Sequence, residues 1–291
     1  MDKLLPPDKS FVGTWPTRRY APVGRCIYCG TTEGKLTDEH IVPFGLLPKG
    51  MDWFLPKSTC ENCAKITTKF EGSVQQGMLG PLRHKLGLKS RRKRPATHNV
   101  TFNYKEDGRI EEREISLNDF PPICIGFRWP PPGILRHVAP TSVFEGELVV
   151  RQDEAAVRKL IRDGESFKMG RVFTLDFARM LAKIAHAFAI AERGIASFEP
   201  ILPDLILGKT DAAPYLIGGD ASDTPEEYEA PLHYLGHLYA EISGTMYLLI
   251  SIRLFARLGM PRYHIIVGRS TENPSLIKQT SQARAITFPA P

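Results

Sequence analysis

The sequence predicts an α+β fold in which a small cysteine-bearing unit precedes a larger mixed region. Three observations predict it. Two Cys-x-x-Cys pairs, Cys26/Cys29 and Cys60/Cys63, bracket a β-like stretch and run into a helical pattern. Asp107-Gly108 joins two strand-like segments, as a hairpin turn does. Phe177, Leu181, Ile184, Phe188 and Ala191 form an apolar stripe at helical spacing. The 291 residues suffice for one large domain or two ordinary ones. They divide into an extended arm over 1–24, the cysteine-bearing unit with its basic flank over 25–95, and an α+β region of unassigned role over 96–291.

Taken in order, Pro6, Pro7, Pro16 and Pro22 break any periodicity in the arm. Cys26 to Gly30 reads as a knuckle-like turn, with Gly30 free to adopt the positive φ that returns the chain. Leu36 to Val42 is a strand ended by Pro43, and Phe44 to Lys57, with Pro48, Gly50 and Pro56, is a loop. Cys63 to Gln76 is helical through Ile66, Phe70 and Val74. Val100, Phe102 and Tyr104 alternate as a strand, followed by strands at Ile110 to Leu117, Ile123 to Trp129 and Val143 to Val150, which together form a small antiparallel sheet. Helices are predicted over Asp153 to Asp163 and Leu175 to Arg193, the latter as a core helix ended by Gly194. Thr210 to Ala230 is a polar loop. Strands at Leu232 to Ile242 and Thr245 to Phe255, joined through Ser243-Gly244, and at Tyr263 to Val267 complete the chain.

The net charge of +6 is uneven. Residues 1–105 hold 18 Lys and Arg against 8 Asp and Glu, and from Gly72 to Lys105 eight basic residues occur with no acidic one. The densest part contains Lys89, Arg91, Arg92, Lys93 and Arg94, a composition that suits phosphate contacts and predicts a nucleic-acid partner. No apolar run approaches the roughly 20 residues of a membrane span, and the N-terminus lacks an apolar stretch of signal-peptide length. The expectation is therefore a cytoplasmic protein with no membrane partner; a homodimer is left open.

A reducing compartment makes paired cysteines metal ligands rather than disulfides. Cys26, Cys29, Cys60 and Cys63 can complete the tetrahedral shell of a structural Zn²⁺, which leaves no open position for substrate. Cys124, alone in an apolar stretch, is a buried small hydrophobe.

Between the pairs, Asp38-Glu39-His40 stands at a strand end. Together with the flanking Cys-x-x-Cys units, Ile41, Pro43 and the following helix, it resembles the HNH endonucleases, particularly bacterial forms with a zinc-supported ββα-metal core; the resemblance covers about Cys26 to Glu71. It implies a metal-dependent hydrolase acting on a phosphodiester, with DNA as substrate. His40 would be the general base, imidazole being suited by its near-neutral pKa. Glu39 would help hold Mg²⁺ or Mn²⁺. The family commonly has Asn or His directly after the last cysteine, where this chain has Ala64. Asn62 and Glu71 are the nearest groups able to substitute, and Asn62 completes the expected catalytic set. The alternative is a zinc-dependent nucleic-acid-binding or adaptor protein without catalysis. His186 is expected to be packed on its helix, and His233 and His237 to lie on a strand, where a four-residue spacing does not converge on a metal.

Overall fold

The computed structural model describes residues 18–91, 99–106, 109–160, 166–168, 172–220 and 232–272. The architecture is mixed α+β. The first unit consists of β1 (Arg18–Arg19), β2 (Leu36–His40), β3 (Trp53–Cys60) and α1 (Glu61–Gly72), with α1 continuing through a π-helical turn (Ser73–Met78) to α2 (Gly80–Lys85). β3 is central in a three-stranded sheet, parallel to β1 and antiparallel to β2.

This corrects the loop expected over Phe44 to Lys57, most of whose second half is strand β3. Pro48 and Gly50 do fall in a connection, but Pro56 lies inside the strand. It is tolerated because the β2–β3 register shifts between Thr37 and Glu39. There Asp38 Oδ1 accepts from the backbone N–H of Lys57 at 3.2 Å, and Lys57 itself has φ 48°. A proline without a backbone N–H fits such an irregularity better than a regular ladder.

The middle strands are β4 (Asn99–Glu106), β5 (Arg109–Ser116), β6 (Ile123–Arg128) and β7 (Glu147–Gln152), followed by α3 (Glu154–Leu160) and β8 (Ser166–Lys168). Instead of one sheet they form two, β5-β4-β8 and β6-β7. The long connection from Trp129 to Gly146, rich in proline, separates β6 from β7. The Asp107-Gly108 turn and the end of the predicted helix near Asp163 lie outside the described residues.

The core is organised around α4 (Thr174–Arg193), in which 13 consecutive or near-consecutive residues from Phe177 to Ile190 are buried. A helix buried nearly all round is a core element, as its stripe predicted. Beyond it come β9 (Phe198–Pro200), α5 (Pro203–Ile206), α6 (Ala213–Leu216), β10 (Ile217–Gly219), β11 (His233–Ile242), β12 (Thr245–Leu254) and β13 (Tyr263–Ser270). These strands form the sheet β10-β13-β12-β11, with β9 also paired to β13. Ser243 and Gly244 both have positive φ, the backbone that a tight hairpin between β11 and β12 requires. The segment expected as a loop over Thr210 to Ala230 contains α6 and β10, and its remainder from 221 lies outside the described residues.

α4 packs on β12 and β13 on one side and on α1 on another, so one buried cluster extends from Cys26 through Phe177 and Phe188 to Val267. Among the described residues no helix is long and apolar enough to cross a membrane.

Candidate functional site

The four cysteines converge. Cys26 and Cys29 come from the knuckle, whose turn is closed by the Gly30 N–H donating to the Cys26 carbonyl at 2.9 Å, with Gly30 at φ +77°. Cys60 ends β3 and Cys63 lies in the first turn of α1. All four Sγ atoms lie within 4.8 Å of one another, and Cys29 Sγ is 3.7 Å from Cys60 Sγ. Tetrahedral ligands on zinc at about 2.3 Å stand roughly 3.8 Å apart, so the donor set fits a metal such as zinc. Cys124 is buried in β6, away from the cluster, as expected.

His40 is the last residue of β2 and opens onto a cleft of about 620 Å³. The cleft is also lined by Asp38, Glu39, Ala64, Glu71, Arg83, Ser90, Arg91 and Lys183. The imidazole stands between Phe44, edge-on at 5.5 Å, and Phe54 at 4.6 Å. Its Nε2 is 3.9 Å from Asp52 Oδ1, too far for a hydrogen bond. Burial lowers its pKa to about 4; the positive charge of Lys183 acts in the same direction, while Glu39 and Asp52 oppose it. His40 is therefore a neutral imidazole at physiological pH, able to accept a proton.

Glu39 lines the cleft, but its buried carboxylate is engaged on both oxygens. Its Oε1 is 2.5 Å from Lys183 Nζ, and its Oε2 accepts from the Thr59 hydroxyl at 2.6 Å. The same ammonium is 2.9 Å from Glu71 Oε1 and donates to the carbonyl of His40. Lys183 is 1% exposed at its side chain and lies 143 residues beyond His40 in the chain. Burial works against its charge, and the Glu39 and Glu71 carboxylates more than offset that, raising its pKa. Burial in turn raises the Glu71 pKa, with the nearby Glu39 charge adding to it.

Of the two groups considered as substitutes at the site, Glu71 reaches Glu39 through Lys183, whereas Asn62 is exposed on α1 and does not line the cleft. Ala64 lines the cleft without contributing a donor. A second, oxygen-ligated cation at Glu39 would need free carboxylate oxygens and near-octahedral room. With both Glu39 oxygens engaged and Glu71 turned to Lys183, the residues present do not fit it.

The basic tract divides. Lys89 is 9% exposed, and its ammonium donates to Asp52 Oδ1 at 2.6 Å and to the Met51 carbonyl, so it braces the β2–β3 connection. Arg91 is exposed, with its guanidinium 5.6 Å from the Phe44 ring centroid beside His40. Arg92, Lys93 and Arg94 lie outside the described residues. Arg83 donates to the carbonyls of Gly45, Gln75 and Lys89, tying the cleft walls together. Gly45 permits this approach, because a Cβ there would stand 2.2 Å from Arg83 Nη2.

α4 supports the site from below. Besides Lys183, its His186 ring Nε2 is 2.8 Å from the Ile27 carbonyl in the knuckle, one turn along the same face. His186 is packed, as expected, and His233 and His237 lie on β11. His233 bonds the Leu46 carbonyl instead of a metal. The residue that sequence reasoning passed over is Lys183. Its signal was a charged side chain between Ala182 and Ile184 in an apolar helix, a position that demands a buried partner.

Compared with family profiles, curated proteins and solved structures, the chain matches none.

Proposed function

We propose that the protein is an HNH-type endonuclease, its β2–β3–α1 unit being the zinc-stapled catalytic core and its substrate a nucleic-acid phosphodiester, DNA by the sequence resemblance. The observation that carries this reading is His40: a neutral imidazole at the end of β2, facing a cleft that also presents Arg91. In the reaction His40 takes a proton from water while the water oxygen bonds to phosphorus; the P–O bond to the leaving sugar oxygen breaks, and that oxygen takes a proton from solvent. Arg91 and the basic residues that follow it would hold flanking phosphates. An incoming phosphodiester is an anion, and its charge opposes the depression of the His40 pKa, bringing the base closer to its working range.

A second reading, nucleic-acid binding without hydrolysis, is favoured by one observation: Glu39 is fully engaged by Lys183 and Thr59. Incubating supercoiled plasmid with zinc-replete protein separates the two. Conversion to nicked circles supports the endonuclease. Salt-sensitive binding with no nicking in Mg²⁺, Mn²⁺ or chelator supports the binding protein.

A further inference from the structure

We propose that Lys183 is the resident cation of the cleft: its ammonium occupies the position between Glu39 and Glu71 that a divalent ion would take, so the protein engages nucleic acid without divalent cations. Three oxygens converge on this one nitrogen, namely Glu39 Oε1, Glu71 Oε1 and the His40 carbonyl. The ammonium donates to the His40 carbonyl and stands at ion-pair distance from both carboxylates, so a cation already fills the space between them. A magnesium ion would instead require about six oxygens at roughly 2.0–2.1 Å, closer than the 2.5 and 2.9 Å found here.

The ammonium is also held in place. Its stem rises from the middle of α4, among its buried residues from Phe177 to Ile190, and its side chain is 1% exposed. An ion that could be removed by a chelator is thus replaced by a charge fixed in the core. The raised pKa of Lys183 agrees with a permanently charged state.

The position has a consequence for His40. Lys183 bonds the His40 backbone and its charge helps keep the His40 ring neutral. One lysine therefore anchors the strand end, pairs with two carboxylates and adds to the effect of burial in keeping the proposed base neutral. The statement about nucleic acid rests on the function proposed above; the statement about cation occupancy does not.

Mn²⁺ serves as the probe, counted by electron paramagnetic resonance on full-length, zinc-replete protein. The wild type is expected to hold no Mn²⁺ at this site. Lys183→Met keeps the reach and removes the charge, and is expected to bind about one Mn²⁺ per chain through the released carboxylates. That ion should be lost again when Glu39→Gln is added. Nucleic-acid affinity of the wild type should agree within about twofold between Mg²⁺ and chelator at matched ionic strength.

A wild-type Mn²⁺ site abolished by Glu39→Gln or Glu71→Gln would overturn the proposal. Those two variants keep the question decidable even if Lys183→Met does not fold. Absence of any nucleic-acid binding would sink the functional reading while leaving the Mn²⁺ count to decide the role of Lys183.

Discussion

Replacing Cys60 with serine tests how the cleft is held. Cys60 does three things at once: it ends β3, precedes the first residue of α1, and supplies one of four sulfur donors lying within 4.8 Å of one another. Structural zinc sites in small units contribute on the order of 10 kcal/mol. That is comparable with the whole stability of a typical domain, about 5–15 kcal/mol. A hydroxyl in place of one thiolate should therefore release the metal and unclamp β2 from β3, the strands that place Glu39 and His40. The expected outcome is less than stoichiometric zinc by atomic emission, a lower melting temperature, and loss of hydrogen-exchange protection at β2–β3 amides. Cys124→Ser, in the buried β6 position, should leave the zinc content unchanged. A Cys60→Ser protein that retains one zinc per chain and melts like the wild type would refute the four-cysteine assignment.

Arg91→Ala should weaken nucleic-acid binding across sequences and lower the salt slope by about one, since a phosphate contact releases roughly one counterion; an unchanged slope would remove Arg91 from the interface. His233 should stay neutral in the folded protein to well below pH 6, as followed by NMR of its ring. Its pKa is lowered to about 4 by burial, against 6.5 in the unfolded chain, so the unfolded state takes up the proton first. The stability it contributes is present above pH 6.5 and lost as pH falls toward 4, an effect of about 3 kcal/mol. Protonation would also cost the bond in which the Phe255 N–H donates to His233 Nδ1 at 3.2 Å. A ring that titrates near 6.5 would contradict this.

Local chemistry made much of this fold readable. The Cys-x-x-Cys turns, the Ser243-Gly244 hairpin and the apolar stripe of α4 each encode their structure within a few residues, and the structure has all three. β3 was not readable, because Pro56 argues against a strand and only the Thr37/Glu39 register shift, a pairing property, makes room for it. The division of the middle strands into two sheets was hidden for the same reason: alternation marks a strand without naming its partner.

The site was legible in part. His40 and Glu39 stand at the strand end where they were expected, whereas Asn62, taken into the set ahead of Glu71, is exposed on α1 and does not line the cleft. Lys89 was read as a phosphate contact from its charge, yet it is spent on Asp52 and Met51 across the β2–β3 connection. Lys183 joins the site from 143 residues away, through tertiary packing that no local pattern announces.

The most direct test of the account is plasmid nicking by wild type and His40→Ala at equal zinc content and equal DNA affinity. Wild type is expected to nick and His40→Ala to be slower by about 10²–10⁴-fold, the loss typical of removing a general base. Equal rates in the two proteins, or no nicking by either, would contradict it.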